Sequence, residues 1–362
     1  MKELYLFRHA ARSVTSSNVS RGLDPNKIRS WLDNSSDHLR ETSSAISEIH
    51  RKSKTSKPTS PIDGPYLNNY FANKSDLPVS VLTSMDRGNV SRIINESEIR
   101  LDWSIYDLNK LPGEDRRAAA EAGLDQPGTS HENKGQLLPE VILLGRCNVG
   151  KSSLVNALMS NNKQSATTYA KVKQSAGYTP CLNFYNVGGL FRLVDSPGYG
   201  VKGKPWQGEL TMRYLAERRE LKNCFLILNG DLGLNKYDEL ILEALVEMGV
   251  QFDIIFNKID KIKNESRIQH YEELISRSIL NDLKIKPRMY FANSIENDLK
   301  QRTGINEIRY GILQSCGYSD LQTLKPRRRR KTINETIEKI KEKNARKSLK
   351  AQAKANLQHD IH

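Results

Sequence analysis

The sequence predicts an α/β fold: a mixed, mostly parallel sheet with helices on both faces, flanked by disordered extensions. Three observations point there. From residue 138 onward, short wholly apolar runs alternate with helix-length segments. A Gly-rich loop, Gly145 to Ser152, joins the first of those runs to a helix. Outside this region apolar residues thin out, leaving only 37% over the 362-residue chain, low for a chain folded from end to end.

Val141-Ile142-Leu143-Leu144 is a continuous apolar run of the kind a buried parallel strand needs. A helix follows from Lys151 to about Ser160. After a polar stretch without periodicity come two short strands, Leu182–Val187 and Leu190–Val194, with Gly188-Gly189 between them as a hairpin turn. Three strand–helix units complete the series: Cys224–Leu228 with Lys236–Met248, Phe252–Phe256 with Ser266–Leu280, and Arg288–Phe291 with Gly304–Gln314. No internal repeat is visible. The expected domain is 138–318. Residues 61–137 form an N-terminal extension and linker with scattered apolar residues (Val79 to Leu82, Ile93 through Ile105) and a short helix at Arg116–Ala122. Residues 319–362 form a basic C-terminal tail.

The net charge is +14, which favours a polyanionic partner such as RNA or an acidic membrane surface. From Lys325 to Lys350 there are twelve basic and three acidic residues, so most of that excess sits in the tail. The four cysteines, Cys147, Cys181, Cys224 and Cys316, have neither metal-ligand spacing nor a paired framework and read as reduced thiols. No apolar run is long enough for a transmembrane segment, so a soluble protein is expected. Residues 1–60 are polar and disordered in character. Their first part carries Arg8, Arg12 and Arg21 among Ser and apolar residues, with no acid between Glu3 and Asp24. That composition is presequence-like and points to the mitochondrial matrix. A disordered cytoplasmic tail is the alternative, and a nuclear import signal is the alternative reading of Lys325–Lys331.

The loop Gly145-Arg146-Cys147-Asn148-Val149-Gly150-Lys151-Ser152, followed by Ser153, fits the phosphate loop of P-loop NTPases. Its glycines let backbone N–H groups wrap phosphates at a helix N-terminus, Lys151 supplies a point charge, and Ser152 ligates Mg²⁺. Asn257-Lys258-Ile259-Asp260 selects the base. It follows a strand, so it emerges at the carboxyl edge where open α/β sheets bind ligands. A carboxylate at Asp260 accepts two hydrogen bonds from guanine N1–H and its 2-amino group; adenine has no such donor pair. Asn257 ties this loop to the phosphate loop, and the Lys258 stem lies along the base. Between them, Asp195-Ser196-Pro197-Gly198 ends a strand: Asp195 holds Mg²⁺ through water and the Gly198 amide senses the γ-phosphate. Thr179 is the natural second Mg²⁺ ligand. The chain therefore reads as a G domain using GTP/GDP and Mg²⁺, with Lys151, Thr179 and Gly198 nearest the chemistry.

Together these residues resemble the EngB (YihA-type) GTPases of the translation-factor-related class, in the fungal mitochondrial branch. The resemblance rests on Leu138-Pro139-Glu140-Val141, Gly145 to Ser153 with Asn156-Ala157-Leu158, Gly177-Tyr178-Thr179 leading into Pro180-Cys181, Asn183-Phe184, and Asp195 through Gly200. It covers about half the chain. The resemblance implies a K⁺ ion at Asn148 and a last guanine-sensing box at Phe291-Ala292-Asn293, where the usual Ser-Ala is absent. Tyr199 stands where Ras-like proteins carry a water-orienting Gln, which implies slow, partner-assisted hydrolysis. The family's work in assembly of the large ribosomal subunit implies a mitochondrial ribosome as partner. From its charge the basic tail is expected to contact rRNA or a ribosomal particle, and the protein is expected to be a monomer. A GTP-regulated RNA-binding factor with little hydrolysis is the alternative.

Overall fold

The computed structural model describes residues 62–72, 74–77, 82–107, 137–160, 169–170, 181–200, 205–294 and 302–328. In chain order the elements are α1 (Gly64–Ala72), α2 (Ser84–Glu96), β1 (Ile99–Ile105), β2 (Glu140–Gly145), α3 (Lys151–Met159), β3 (Leu182–Val187) and β4 (Phe191–Asp195). Then come α4 (Pro205–Glu217), β5 (Leu221–Asn229), α5 (Lys236–Glu247), β6 (Phe252–Asn257), α6 (Arg267–Ser276), β7 (Met289–Ala292) and α7 (Ile305–Ser315). The seven strands form one sheet in the order β1-β3-β4-β2-β5-β6-β7. The β1–β3–β4 end is antiparallel and the rest is parallel.

The apolar runs produce this sheet because alternate side chains serve two cores. Ile142 and Leu144, with Cys224, Leu226 and Leu228, face α1, α4, α5 and α6. Val141 and Leu143, with Phe225 and Ile227, face α2, α3 and α7. Strand β3 matches its expected bounds; β4 begins one residue later because Leu190 belongs to the turn. The helix expected over Ser266–Leu280 stops at Ser276. The Ser276 and Ser278 hydroxyls bond back to the Glu273 and Ile275 carbonyls, and a separate turn occupies Ile279–Asn281.

The segment before residue 138 supplies the sheet's edge strand. β1 pairs antiparallel with β3 from Ile99↔Val187 to Ile105↔Leu182, with a bulge between Leu101 and Trp103. Asp102, at the bulge, accepts from Arg192 Nε at 3.1 Å and Asn186 Nδ2 at 3.0 Å. The chain after α7 also packs on the domain. Arg92 donates to the Leu321 and Leu324 carbonyls. Arg327 N–H donates to Gly188 O at 2.7 Å, while Glu98 N–H donates to Arg327 O at 2.8 Å. Arg327 and Arg328 pair with Glu98 and Glu96 at 3.2 and 3.3 Å. The folded body thus extends on both sides of the 138–318 span, and the first residues of the basic run lie against it. The helix expected at Arg116–Ala122, the presequence-like stretch and the tail beyond Arg328 lie outside the described residues.

At the amino end of β2 sits a fully buried carboxylate, Glu140. Arg218 grips it bidentately at 2.7 and 2.9 Å, and the Tyr214 hydroxyl donates at 2.8 Å. Arg192 is more distant, at 3.8 Å. Removing one partner of such a pair leaves charge without compensation in a dry site. Arg218→Met is therefore expected to lower unfolding stability by about 3 kcal/mol, read from the midpoint of urea denaturation at unchanged slope.

Candidate nucleotide site

The site forms where β2, β4 and β6 end at the carboxyl edge of the sheet. Gly145 closes β2, and the loop after it turns back through two left-handed residues, Asn148 (φ 65°) and Gly150 (φ 94°). Gly150 is the N-cap of α3 with no side-chain capping bond, so the amides of the first turn are presented without a side-chain acceptor. A Cβ at Gly150 would lie 2.5 Å from Asn257 Nδ2, so glycine is required here by space as well as by φ. This is a cradle for an anion. Lys151 points from it to Asp195, its ammonium bonded to Oδ1, both side chains nearly inaccessible. Ser152 and Ser153 lie half-buried in the same helical turn.

The base-side loop is fastened to this cradle. Asn257, fully buried, donates Nδ2–H to Val149 O at 3.1 Å. Lys258, itself left-handed (φ 64°), donates from Nζ to Asn148 O at 2.7 Å. Burial, with Lys261 second, holds the Lys258 ammonium below its usual pKa. Asp260 follows in a single turn, Ile259–Lys261, and its Oδ1 is buried without a hydrogen-bond partner among the described residues. Ile259 points into the core instead. A buried acceptor left open costs about 1–3 kcal/mol, which a ligand offering N–H donors would recover. Guanine offers two such donors on one edge, so the residues present fit it.

The loop after β4 packs tightly on the phosphate loop. Ser196 donates to Leu143 O at 2.8 Å, and Pro197 is buried. A Cβ at Gly198 would lie 3.0 Å from Cys147 Sγ. Cys147 N–H donates to Tyr199 O at 3.1 Å, and Tyr199 N–H donates to Gly145 O at 3.3 Å. The Tyr199 hydroxyl donates to Asp238 Oδ1 at 2.7 Å, and Arg146 Nε pairs with the other Asp238 oxygen at 3.0 Å. Burial first, then the Asp238 charge, pushes the Tyr199 hydroxyl well above its ordinary pKa, so it stays a donor. Burial raises the Asp238 carboxyl, against the Tyr199 bond and the Arg146 charge. Asp238 also closes the capping box of α5 with Asn235. Neither Asp238 nor its link to Tyr199 is visible from sequence, because three separate elements converge there.

The last box, Phe291-Ala292-Asn293, lies at the end of β7 and just beyond it. The Phe291 ring stacks on Phe256 in the core and its N–H is taken by Asn68, so its side chain is structural. Ala292 pairs with Asn257 in the ladder, and Asn293 is bridged to Thr303. Ser294, which the sequence reading missed, donates to Asn257 Oδ1 at 3.1 Å. Cys181 is buried just before β3, its Sγ 3.4 Å from Asn183 Oδ1. Gly177, Tyr178, Thr179 and Pro180 lie outside the described residues. Asn156, on α3, accepts from the Tyr169 and Ala170 amides at 2.9 and 2.8 Å and so anchors the start of that stretch. Among the described residues no cluster of three or more His, Cys, Asp or Glu could hold a metal by itself. Of the residues expected to hold Mg²⁺, Ser152 lies half-buried in the first turn of α3 and Asp195 is bonded to Lys151.

An anion cradle on a parallel strand–helix junction, bonded to a loop carrying an open carboxylate, defines a guanine-nucleotide-binding P-loop protein, a GTPase. Comparison with known proteins gives the family. The model of the 50S ribosome-binding GTPases matches residues 140–258. MIOREX complex component 8 of Saccharomyces cerevisiae is 35% identical over 240 residues, 65% of this chain and 75% of that protein. The probable GTP-binding protein EngB of Thermosipho africanus is 35% identical over 144 residues, 37% of this chain and 71% of its own length. A crystal structure of a probable GTP-binding protein engB aligns with 49% of this chain and 98% of its own, at 19% identity and a TM-score of 0.34. The chain belongs to the EngB family of GTP-binding proteins.

Proposed function

We propose that this GTPase is a slow, partner-assisted switch that serves assembly of the large ribosomal subunit or translation in mitochondria. The observation that carries the guanine reading is the open, buried Oδ1 of Asp260 on a loop bonded to the phosphate cradle. In this reading Asp260 accepts from guanine N1–H and the 2-amino group. The amides from Asn148 to Ser153 wrap the phosphates, and Lys151 turns from Asp195 to the β- and γ-oxygens. Ser152, Thr179 and Asp195 would hold Mg²⁺, which would supply positive charge to the phosphates. Asn148, whose side chain is exposed at the loop's tip, is the residue for K⁺.

Slow turnover is supported by Tyr199. Its hydroxyl is committed to Asp238, so it offers no amide to orient an attacking water. Ribosome association is supported by the family model and by the basic tail, whose phosphate neutralisation needs no fold. The mitochondrial matrix is supported by the acid-poor, Arg-containing start of the chain. Among the described residues no helix is long and apolar enough to cross a membrane. A monomer docking on rRNA through residues beyond Arg328 completes the reading.

Single-turnover GTP hydrolysis in K⁺ against Na⁺, with and without large mitochondrial ribosomal subunits, tests it. Expected is slow hydrolysis alone and acceleration by K⁺ and by subunits together. Equal, negligible rates in all four conditions would favour a GTP-reading RNA-binding factor over a switch.

A further inference from the structure

Helix α1 and the residues leading into it lie outside the nucleotide motifs, yet together they are bonded to both loops that frame the base. Asn68 Oδ1 accepts the Phe291 N–H at 2.7 Å, on the open side of β7, the edge strand. Gly64 N–H donates to Thr303 Oγ1 at 3.1 Å, and Thr303 exchanges two backbone bonds with Asn293, at 3.0 and 3.2 Å. The Gly64 backbone is so close that a Cβ there would meet Phe291 O at 2.5 Å and Gly304 N at 2.8 Å. Two residues earlier, Ile62 N–H donates to Asn264 Oδ1 at 2.8 Å and Ile62 O accepts from Arg267 at 2.6 Å. Asn264 is four residues beyond Asp260. Phe71 then packs against Phe291, the rings tilted with centroids 4.9 Å apart.

β7 is only four residues long and ends at Ala292, next to Asn293 and Ser294, the latter bonded to Asn257. A short edge strand with an unmet N–H holds its register weakly. Here Asn68 supplies the missing acceptor, Gly64 props the Asn293–Thr303 rung, and Ile62 ties the far side of the Asp260 loop. We propose that α1 with its lead-in residue Ile62 is the positioning element of the guanine pocket: through Ile62, Gly64 and Asn68 this segment fixes the separation of the two base-side loops and thereby sets base affinity without touching the nucleotide. This rests on the reading of Asp260 as the guanine acceptor.

The test uses Asn68→Leu and Thr303→Val in the full chain. GDP, IDP (which lacks the 2-amino group), ADP and inorganic tripolyphosphate are titrated by calorimetry below the thermal transition of each variant. Expected is about tenfold weaker GDP binding, because the nucleotide must then order loops no longer held at the right separation. The GDP-over-IDP preference should shrink and tripolyphosphate binding should not change. A purely structural role would weaken tripolyphosphate in parallel, and that result overturns the proposal; so does an unchanged GDP-over-IDP ratio. If Asn68→Leu does not fold, Thr303→Val, which keeps the backbone rung and removes only the acceptor for Gly64, decides alone. Wild-type protein binding ADP as tightly as GDP would instead refute the role of Asp260 itself.

Discussion

Asp260→Asn is expected to weaken GDP binding by about 100- to 1,000-fold and to make xanthosine diphosphate the preferred ligand. Charge-assisted hydrogen bonds contribute about 1.5–3 kcal/mol each, and the carboxylate loses its claim on two guanine donors at once. An Asn amide in the same place presents one acceptor and one donor, which matches the N1–H and 2-carbonyl edge of xanthine. The surrounding geometry survives the change, since Asn257 and Lys258, not Asp260, hold the loop on the phosphate cradle. Competition of XDP and GDP against a fluorescent guanine nucleotide reads the exchange directly. A variant that keeps its guanine preference would show that the open Oδ1 faces something other than the base.

The second large effect concerns the phosphates. Lys151→Met is expected to cut GTP affinity by about 100-fold or more, the loss of a desolvated charge contact worth roughly 3 kcal/mol. It should also lower the thermal transition of the unliganded protein. Lys151 and Asp195 are 6% and 2% exposed, so a neutral side chain leaves a carboxylate stranded in the interior. The two readouts separate the roles: calorimetry reports the phosphate contact and scanning calorimetry without nucleotide reports the internal pair. Unaltered GTP binding together with a lowered transition would reduce Lys151 to a structural partner of Asp195.

Much of this site is legible in sequence because its chemistry is carried by contiguous residues at strand ends. Gly145 to Ser152 specifies a cradle locally, and Asn257 to Asp260 needs only the strand before it. Other parts are written across the chain. Asp238 meets Tyr199 and Arg146 only because α5 begins beside the phosphate loop, and no spacing rule connects residues 146, 199 and 238. Ser294 reaches Asn257 because the chain leaves β7 at that point, which no local pattern announces. Strand β1 is a different case. Ile99, Leu101, Trp103 and Ile105 alternate with polar residues, a period-two signal masked by the helix directly before it and by the exposed edge face that leaves Leu101 in solvent. Helix α4 carries a start signal in Pro205 at its first position, which the Gly- and Lys-containing run before it obscures.

The β3–β4 hairpin connects the residues before Cys181 with the loop after Asp195, the two stretches expected to respond to the γ-phosphate. In a sheet ending at β3, that hairpin would have a free flank and could ratchet along its neighbour. Here β1 occupies the β3 flank with six paired positions, β2 pairs with β4 at four on the other side, and the backbone of Glu98 and Arg327 bolts the turn at Gly188. A sliding movement would have to unzip the β1 ladder and unbolt the turn together. The hairpin is therefore a rail fixed along both flanks and at its turn.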